Sequence, residues 1–285
     1  MEDSHRWLGF PARDGDIVIS TRSKHGTTWT QMICALLAFQ TPELPAPLSE
    51  LSPWLDWTIA PADEVFARLE AQRHRRIIKT HTPLDGIPIR PETRYIVVAR
   101  HPLDAAVSLY HQGDNIIRER VAELTGEPVP EARSGPRPEL RDWLAGWTRS
   151  HHDPREAPDM LPGVMAHLAD AWARRDAPNL LLVHYADLAA DLDGEMRRIA
   201  AWLDIEVDES RWPELVKAAT FGEMKAKAAH TAPDPAGLFR SRDAFFRNGT
   251  SGSGAALLGD EALAAYTARV AQMAPKELLD WLHRP

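Results

Sequence analysis

The stretch Asp16 to Trp29, DIVISTRSKHGTTW, constrains the fold more than any other part of this chain. A β-branched apolar run breaks into a short polar turn and passes straight into a helix-like segment, the pattern of a buried strand handing over to a helix. A turn through Ser23, Lys24, His25 and Gly26 aims several backbone N–H groups and the positive end of a helix dipole at one point, which suits a phosphate. Lys24 adds a point charge, and Gly26 lets the backbone come close to a ligand. The triphosphate-loop pattern G-x-x-x-x-G-K-[S/T] is not met, because here a single glycine follows the lysine. Taken alone, the same residues also make an ordinary strand-to-helix cap.

Two further segments favour the anion site over the cap. Arg94 to Tyr110, RYIVVARHPLDAAVSLY, is a second buried-strand pattern ending in Arg100, with Pro102 at a helix start and Ser108 placed to converge with Arg100 on a second anion. Arg76 to Pro83, RIIKTHTP, is a short apolar strand that delivers Lys79 and His81 to the same side at its end. Periodicity predicts strands over 16–20, 76–79, 94–99 and 180–184. Helices are predicted over 28–40, 63–74, 102–113, 161–174, 192–203 and 208–218. This alternation gives a single α/β domain over residues 1–285, with a P-loop-like central parallel sheet, helices on both faces and ligands at the carboxyl ends of the strands. Two stretches rich in Pro, Gly and charge, 116–138 and 230–254, are expected to be insert loops, the second a lid over the site.

The three segments, in this order, resemble the cytosolic sulfotransferase family, whose motifs read close to T-Y-P-K-S-G-T-T-W, then K-T-H, then R-x-P-x-D-x-x-V-S. This chain supplies Lys24, Gly26, Thr27, Thr28 and Trp29, then Lys79, Thr80 and His81, then Arg100, Pro102, Asp104, Val107 and Ser108. The resemblance implies transfer of the sulfuryl group of 3′-phosphoadenosine 5′-phosphosulfate to an acceptor hydroxyl or amine, with adenosine 3′,5′-bisphosphate as product. It thins through 112–165 and continues to about residue 250, where LLLVHYADL implies an adenine contact at Tyr185 and ATFGEMK places Phe221 and Met224 near the adenine. FFRNG resembles the R-K-G element on the 3′-phosphate and implies contacts from Phe246, Arg247, Asn248 and Gly249. By the same pattern Ser108 contacts the 3′-phosphate and restrains Lys24 until acceptor arrives. The chain departs from the family at His25 (for serine), Ala219 (for threonine) and Asn248 (for lysine). An Arg fork is the better bidentate partner, so Arg247 is expected to hold the 3′-phosphate with Arg100. The C-terminal dimerisation signature of animal members is missing, which leaves a homodimer open.

Sulfuryl transfer spreads negative charge over equatorial oxygens while the attacking and leaving oxygens lie in line, so the protein mainly positions and neutralises. His81 is the candidate general base, since imidazole titrates near neutral pH. Lys24 is assigned to the leaving 5′-phosphate and Lys79 to the bridging or equatorial oxygens, and no metal is called for. The competing classes are a P-loop nucleotide kinase, which lacks its loop here, and a non-catalytic nucleotide-binding protein, which would have no use for His81.

Composition fits a soluble cytoplasmic enzyme. The chain has 285 residues, 44% hydrophobic and 26% charged, enough for one large core. A single cysteine, Cys34, excludes a disulfide framework. The start MEDSHRWLGF reads neither as a leader nor as an anchor, and no apolar run reaches a membrane span. A net charge of −8 speaks against a general nucleic-acid binder, so anion binding must come from local clusters. His151-His152-Asp153 lacks a third ligand at zinc spacing and is read as a solvated loop. The expected partner is a small-molecule acceptor, apolar or aromatic. Trp54, Trp57, Trp143 and Trp147 are the candidates around it, although the spacing of the last two suits core packing equally well.

Overall fold

The computed structural model describes residues 2–126, 128–129, 135–247, 249 and 252–284. Four parallel strands, β1 (Ile17–Ser20), β2 (Ile77–Thr80), β3 (Arg94–Ala99) and β4 (Leu180–His184), form one sheet in the order β2-β1-β3-β4. Their apolar runs are continuous because the sheet is covered on both faces. Ile17, Ile19, Ile77, Ile96 and Val98 pack with the helix Thr27–Phe39, whereas Val18, Ile78, Tyr95 and Val97 pack on the other side with Trp7, Phe10, Val65 and Leu69. A third cluster joins Leu103 and Val107 to Trp147, Tyr266, Leu278 and Leu282.

The predicted strands match within a residue at each end, and the helices observed at Thr27–Phe39, Ala62–Ala71, Pro102–Asn115, Leu161–Ala173, Leu192–Trp202 and Trp212–Ala218 match the predicted ones closely. The stretch 116–138 departs from the expected loop: Arg118–Thr125 is helical, and it buries none of its side chains, so it shows no apolar stripe. Helices at Asp260–Val270 and Lys276–Leu282, which the sequence reading did not anticipate, close the third cluster.

Parallel register brings the strand ends together. Ser20 pairs with Thr80, so Thr21 and His81 leave the sheet side by side, and Ala99 pairs with His184, so Arg100 and Tyr185 do the same. Residues 53–55 extend the sheet past β2: Lys79 N–H donates to Pro53 O (2.9 Å) and Leu55 N–H to Lys79 O (3.1 Å). At the opposite ends of β1 and β2, the buried Arg76 and Asp16 form a bidentate pair, Nε to Oδ1 at 2.7 Å and an NH2 contact at 2.5 Å.

Candidate active site

The first loop is built as a close approach. Lys24 holds φ 67° and Gly26, at the N-cap of Thr27–Phe39, holds φ 109°. A Cβ on Gly26 would lie 3.1 Å from Tyr185 and 3.3 Å from Val98, so this position takes only glycine without displacement. Ser23 Oγ donates to Asp159 Oδ2 (2.9 Å), and the buried Arg22 reaches Glu2 (3.2 Å), Asp159 (3.0 Å) and the carbonyl of His81. These contacts pin the loop from below.

A cavity of about 620 Å³ opens above the strand ends. Lys24, Gly26, Thr27, Thr28 and Trp29 line it from the first loop and the helix it opens, Lys79 and His81 from the end of β2, Arg100 and Tyr185 from just past β3 and β4, and Ser108 from the helix Pro102–Asn115. Phe221, Met224, Phe246, Arg247 and Gly249 close its far side. All the sequence-derived site residues therefore meet at one place, with two exceptions. His25 does not line the cavity: its imidazole is buried with Nδ1 on Ser23 O (3.0 Å), and burial pushes its pKa down to about 4, so its side chain braces the loop instead. Asn248 lies outside the described residues. Trp54 and Trp57 line the cavity, whereas Trp147 is core, donating to Asp159 O (2.9 Å), and Trp143 packs edge-on to Tyr110.

Electrostatically the cavity floor is a crowd of cations. Burial, followed by the charges of Arg100, Lys79 and Arg247, pushes Lys24 down to about 7. Its ammonium rests 3.9 Å from the centre of the Phe245 ring, and no carboxylate pairs with it among the described residues. Arg100 lies over Tyr185 at 4.3 Å. Lys79 lies over Trp54 at 3.9 Å and is pushed down to about 8 by burial, against the opposing charges of Glu2, Asp56 and Asp159. Burial drives His81 well below the ordinary histidine range, with Lys79 and Arg22 adding to the effect. His81 Nδ1 faces the carbonyl of Thr21, which can only accept, so Nδ1 carries the proton and Nε2 keeps its lone pair on a ring that lines the cavity.

Sequence reasoning missed several contributors. Phe245 covers Lys24; Asp104, matched in the third motif with no role attached, accepts from Gly252 N–H and Gly254 N–H, both at 2.7 Å, and so anchors the chain just past Gly249. Asp56 sits fully buried beneath Trp54. An acidic residue between two tryptophans in SPWLDW was the available signal for it. The rest of the cavity is lined by Ile59, Val65, Leu124, Leu238 and Phe239 with Glu64, Arg68 and Arg120. These residues come from three distant segments without a shared motif. Among the described residues no cluster of His, Cys, Asp and Glu could hold a metal ion, and no helix is long and apolar enough to cross a membrane.

A parallel α/β sheet whose strand ends deliver a lysine loop, an arginine and an imidazole to one cavity, with a second arginine from a later segment, defines a P-loop-like group-transfer fold. The sulfotransferase domain family matches residues 14–272, and the chain belongs to that family. It is 41% identical over 309 residues to a glycolipid sulfotransferase of Mycobacterium bovis, covering 99% of this chain and 92% of that protein. It is also 29% identical over 249 residues to human sulfotransferase 2B1, covering 84% and 60%. In fold it is similar to a retinol dehydratase in complex with androsterone and the inactive cofactor PAP (TM-score 0.71, 21% identity, 99% of this chain and 86% of that one). Mouse sulfotransferase SULT7A1 complexed with PAP gives 0.68 at 21% identity over 98% and 92%.

Proposed function

We propose that this sulfotransferase moves the sulfuryl group of 3′-phosphoadenosine 5′-phosphosulfate to the hydroxyl of an amphipathic alcohol, with His81 as general base. The observation that carries the reading is a neutral imidazole and three crowded cations, Lys24, Arg100 and Arg247, lining one cavity. Their mutual repulsion is relieved by a ligand with anionic groups, and two glycines let the backbone pack close against the aromatic rings that line the cavity. Gly26 is one; at Gly249 (φ 66°) a Cβ would lie 2.6 Å from Phe221. The nucleotide supplies the activated sulfuryl group. Arg100, Arg247 and Ser108 hold the 3′-phosphate; Tyr185, Phe221 and Met224 flank the base. Lys24 neutralises charge developing on the departing 5′-phosphate oxygen, Lys79 that on the transferring oxygens, and His81 Nε2 takes the acceptor's proton.

The acceptor side has an apolar wall around a polar floor, which suits an alcohol with a hydrophobic body. The 41% identical relative is named a glycolipid sulfotransferase, so glycolipids stand first among acceptors to try, ahead of phenols and sterols. His81→Ala should lower kcat by roughly 10²-fold or more while adenosine 3′,5′-bisphosphate binds as before. Turnover that survives the substitution removes the base assignment. Thermal stabilisation by adenosine 3′,5′-bisphosphate over ATP·Mg²⁺ separates the reading from a kinase, and the opposite preference reverses it.

A further inference from the structure

Asp56 is 0% exposed, and its carboxylate accepts four hydrogen bonds from neutral donors. Oδ2 takes the indole N–H of Trp7 (2.9 Å) and the hydroxyls of Thr82 (2.7 Å) and Thr80, and Oδ1 takes the indole N–H of Trp54 (2.7 Å). No other side chain of this size accepts on both terminal atoms. An asparagine would turn an N–H against one of the four donors. The residue type is therefore fixed by what converges on it.

Two of those donors lead to the reacting groups. Trp54 lines the cavity with its ring 3.9 Å from the Lys79 ammonium and edge-on to His81, 4.5 Å between centres at 77°. Trp57 stacks on it at 5.2 Å and 3°. Thr80 stands between Lys79 and His81 on β2, so strand alternation puts its hydroxyl on the opposite side from theirs. Asp56 thus grips the end of β2 from behind through Thr80 and from the cavity side through Trp54.

We infer that Asp56 is a positioning residue for transfer, acting through Trp54 and Thr80 to set the placement of Lys79 and His81. This rests on the assignment of His81 as the base. The carboxylate also acts by charge. Lys79 is faced by Glu2, Asp56 and Asp159, which favour its ammonium, and by Lys24 and His81, and burial already pushes it down to about 8. Removing one negative charge lowers it further, so the enzyme loses this cation earlier as pH rises.

The test measures kcat against pH and the Kd of adenosine 3′,5′-bisphosphate for Asp56→Asn, Trp54→Phe and the double variant, with His81→Ala alongside. Each single substitution should lower kcat about 10- to 100-fold, as small misplacements of reacting groups do. The double should be little worse than the poorer single, because both break one linkage, while the Kd stays within about 2-fold. The alkaline limb of kcat should move to lower pH in Asp56→Asn and stay put in Trp54→Phe. Losses that multiply in the double, or an unmoved alkaline limb in Asp56→Asn, overturn the inference. If Asp56→Asn does not fold, Thr80→Val and Trp54→Phe, each of which removes one donor to Asp56 and leaves the carboxylate in place, carry the same comparison through their double variant. Turnover surviving His81→Ala sinks the base assignment; lost turnover there with independent Asp56 and Trp54 effects sinks the positioning role alone.

Discussion

Lys24 is where the site stores its response to ligand. A lysine pushed from 10.5 to about 7 binds fewer protons folded than unfolded between those values. Its drag on stability is therefore full at and below pH 7 and lessens as pH rises toward 10.5. An anionic ligand restores the ammonium, so binding above pH 7 takes up a proton. We expect the Kd of adenosine 3′,5′-bisphosphate to rise with pH by up to about tenfold per unit above 7, and calorimetry in buffers of different ionisation enthalpy to show uptake approaching one proton at pH 8. Lys24→Met should abolish that uptake; if it persists, another group titrates. His81 is shifted in the same direction, with a different consequence. Since burial holds it well below 6.5, it is neutral and able to accept a proton at neutral pH, and the acid limb of kcat should fall below the usual histidine range.

At the scale of elements, strand, loop and helix cohere because each local preference agrees with the packing. The runs IVIS, IIKT and RYIVVA were legible as strands because both faces are buried and apolar or β-branched residues fill most of their positions. Lys24, Lys79, His81 and Arg100 were legible because each follows or ends such a strand. Arg118–Thr125 was not, since a helix with no fully buried side chain leaves little period to read. Nor was Asp56, whose role exists only once Trp7, Thr80 and Thr82 arrive from elsewhere in the chain. Two substitutions test the local design. Gly26→Ala forces a side chain into a left-handed backbone 3.1 Å from Tyr185, and should cost about 1–3 kcal/mol in denaturant unfolding together with weaker nucleotide binding. Asp16→Ala leaves Arg76 buried without its partner, and should cost about 3–5 kcal/mol while the affinity of the remaining folded protein for nucleotide is unchanged, because the pair sits at the far end of the strands.

Across the whole molecule, one helix carries both anchors of the segment that bears Arg247. At the amino end of Pro102–Asn115, Asp104 holds Gly252 and Gly254. At its carboxyl end Asn115 exchanges two hydrogen bonds with Ser241, Nδ2 to the carbonyl (2.8 Å) and Oδ1 from the N–H (2.9 Å). Backbone bonds from Arg240 N–H to Asn115 O and from Ile117 N–H to Leu238 O, both 2.8 Å, lengthen the clasp. Between these anchors lie Phe239 on the proposed acceptor side, Phe245 over Lys24, and Arg247 and Gly249 on the proposed cofactor side. The segment touches both halves of the cavity, so loosening one anchor should be felt by both substrates. Asn115→Ala should raise KM for donor and acceptor together by about tenfold, the equivalent of roughly 1–2 kcal/mol for the lost pair of bonds, with kcat at saturation held within a few-fold. Hydrogen exchange at residues 235–247 should quicken in that variant and slow when adenosine 3′,5′-bisphosphate binds the unaltered protein. A rise confined to one substrate would mean that the two sides of the cavity are held separately, and that the clasp serves only the side it disturbs.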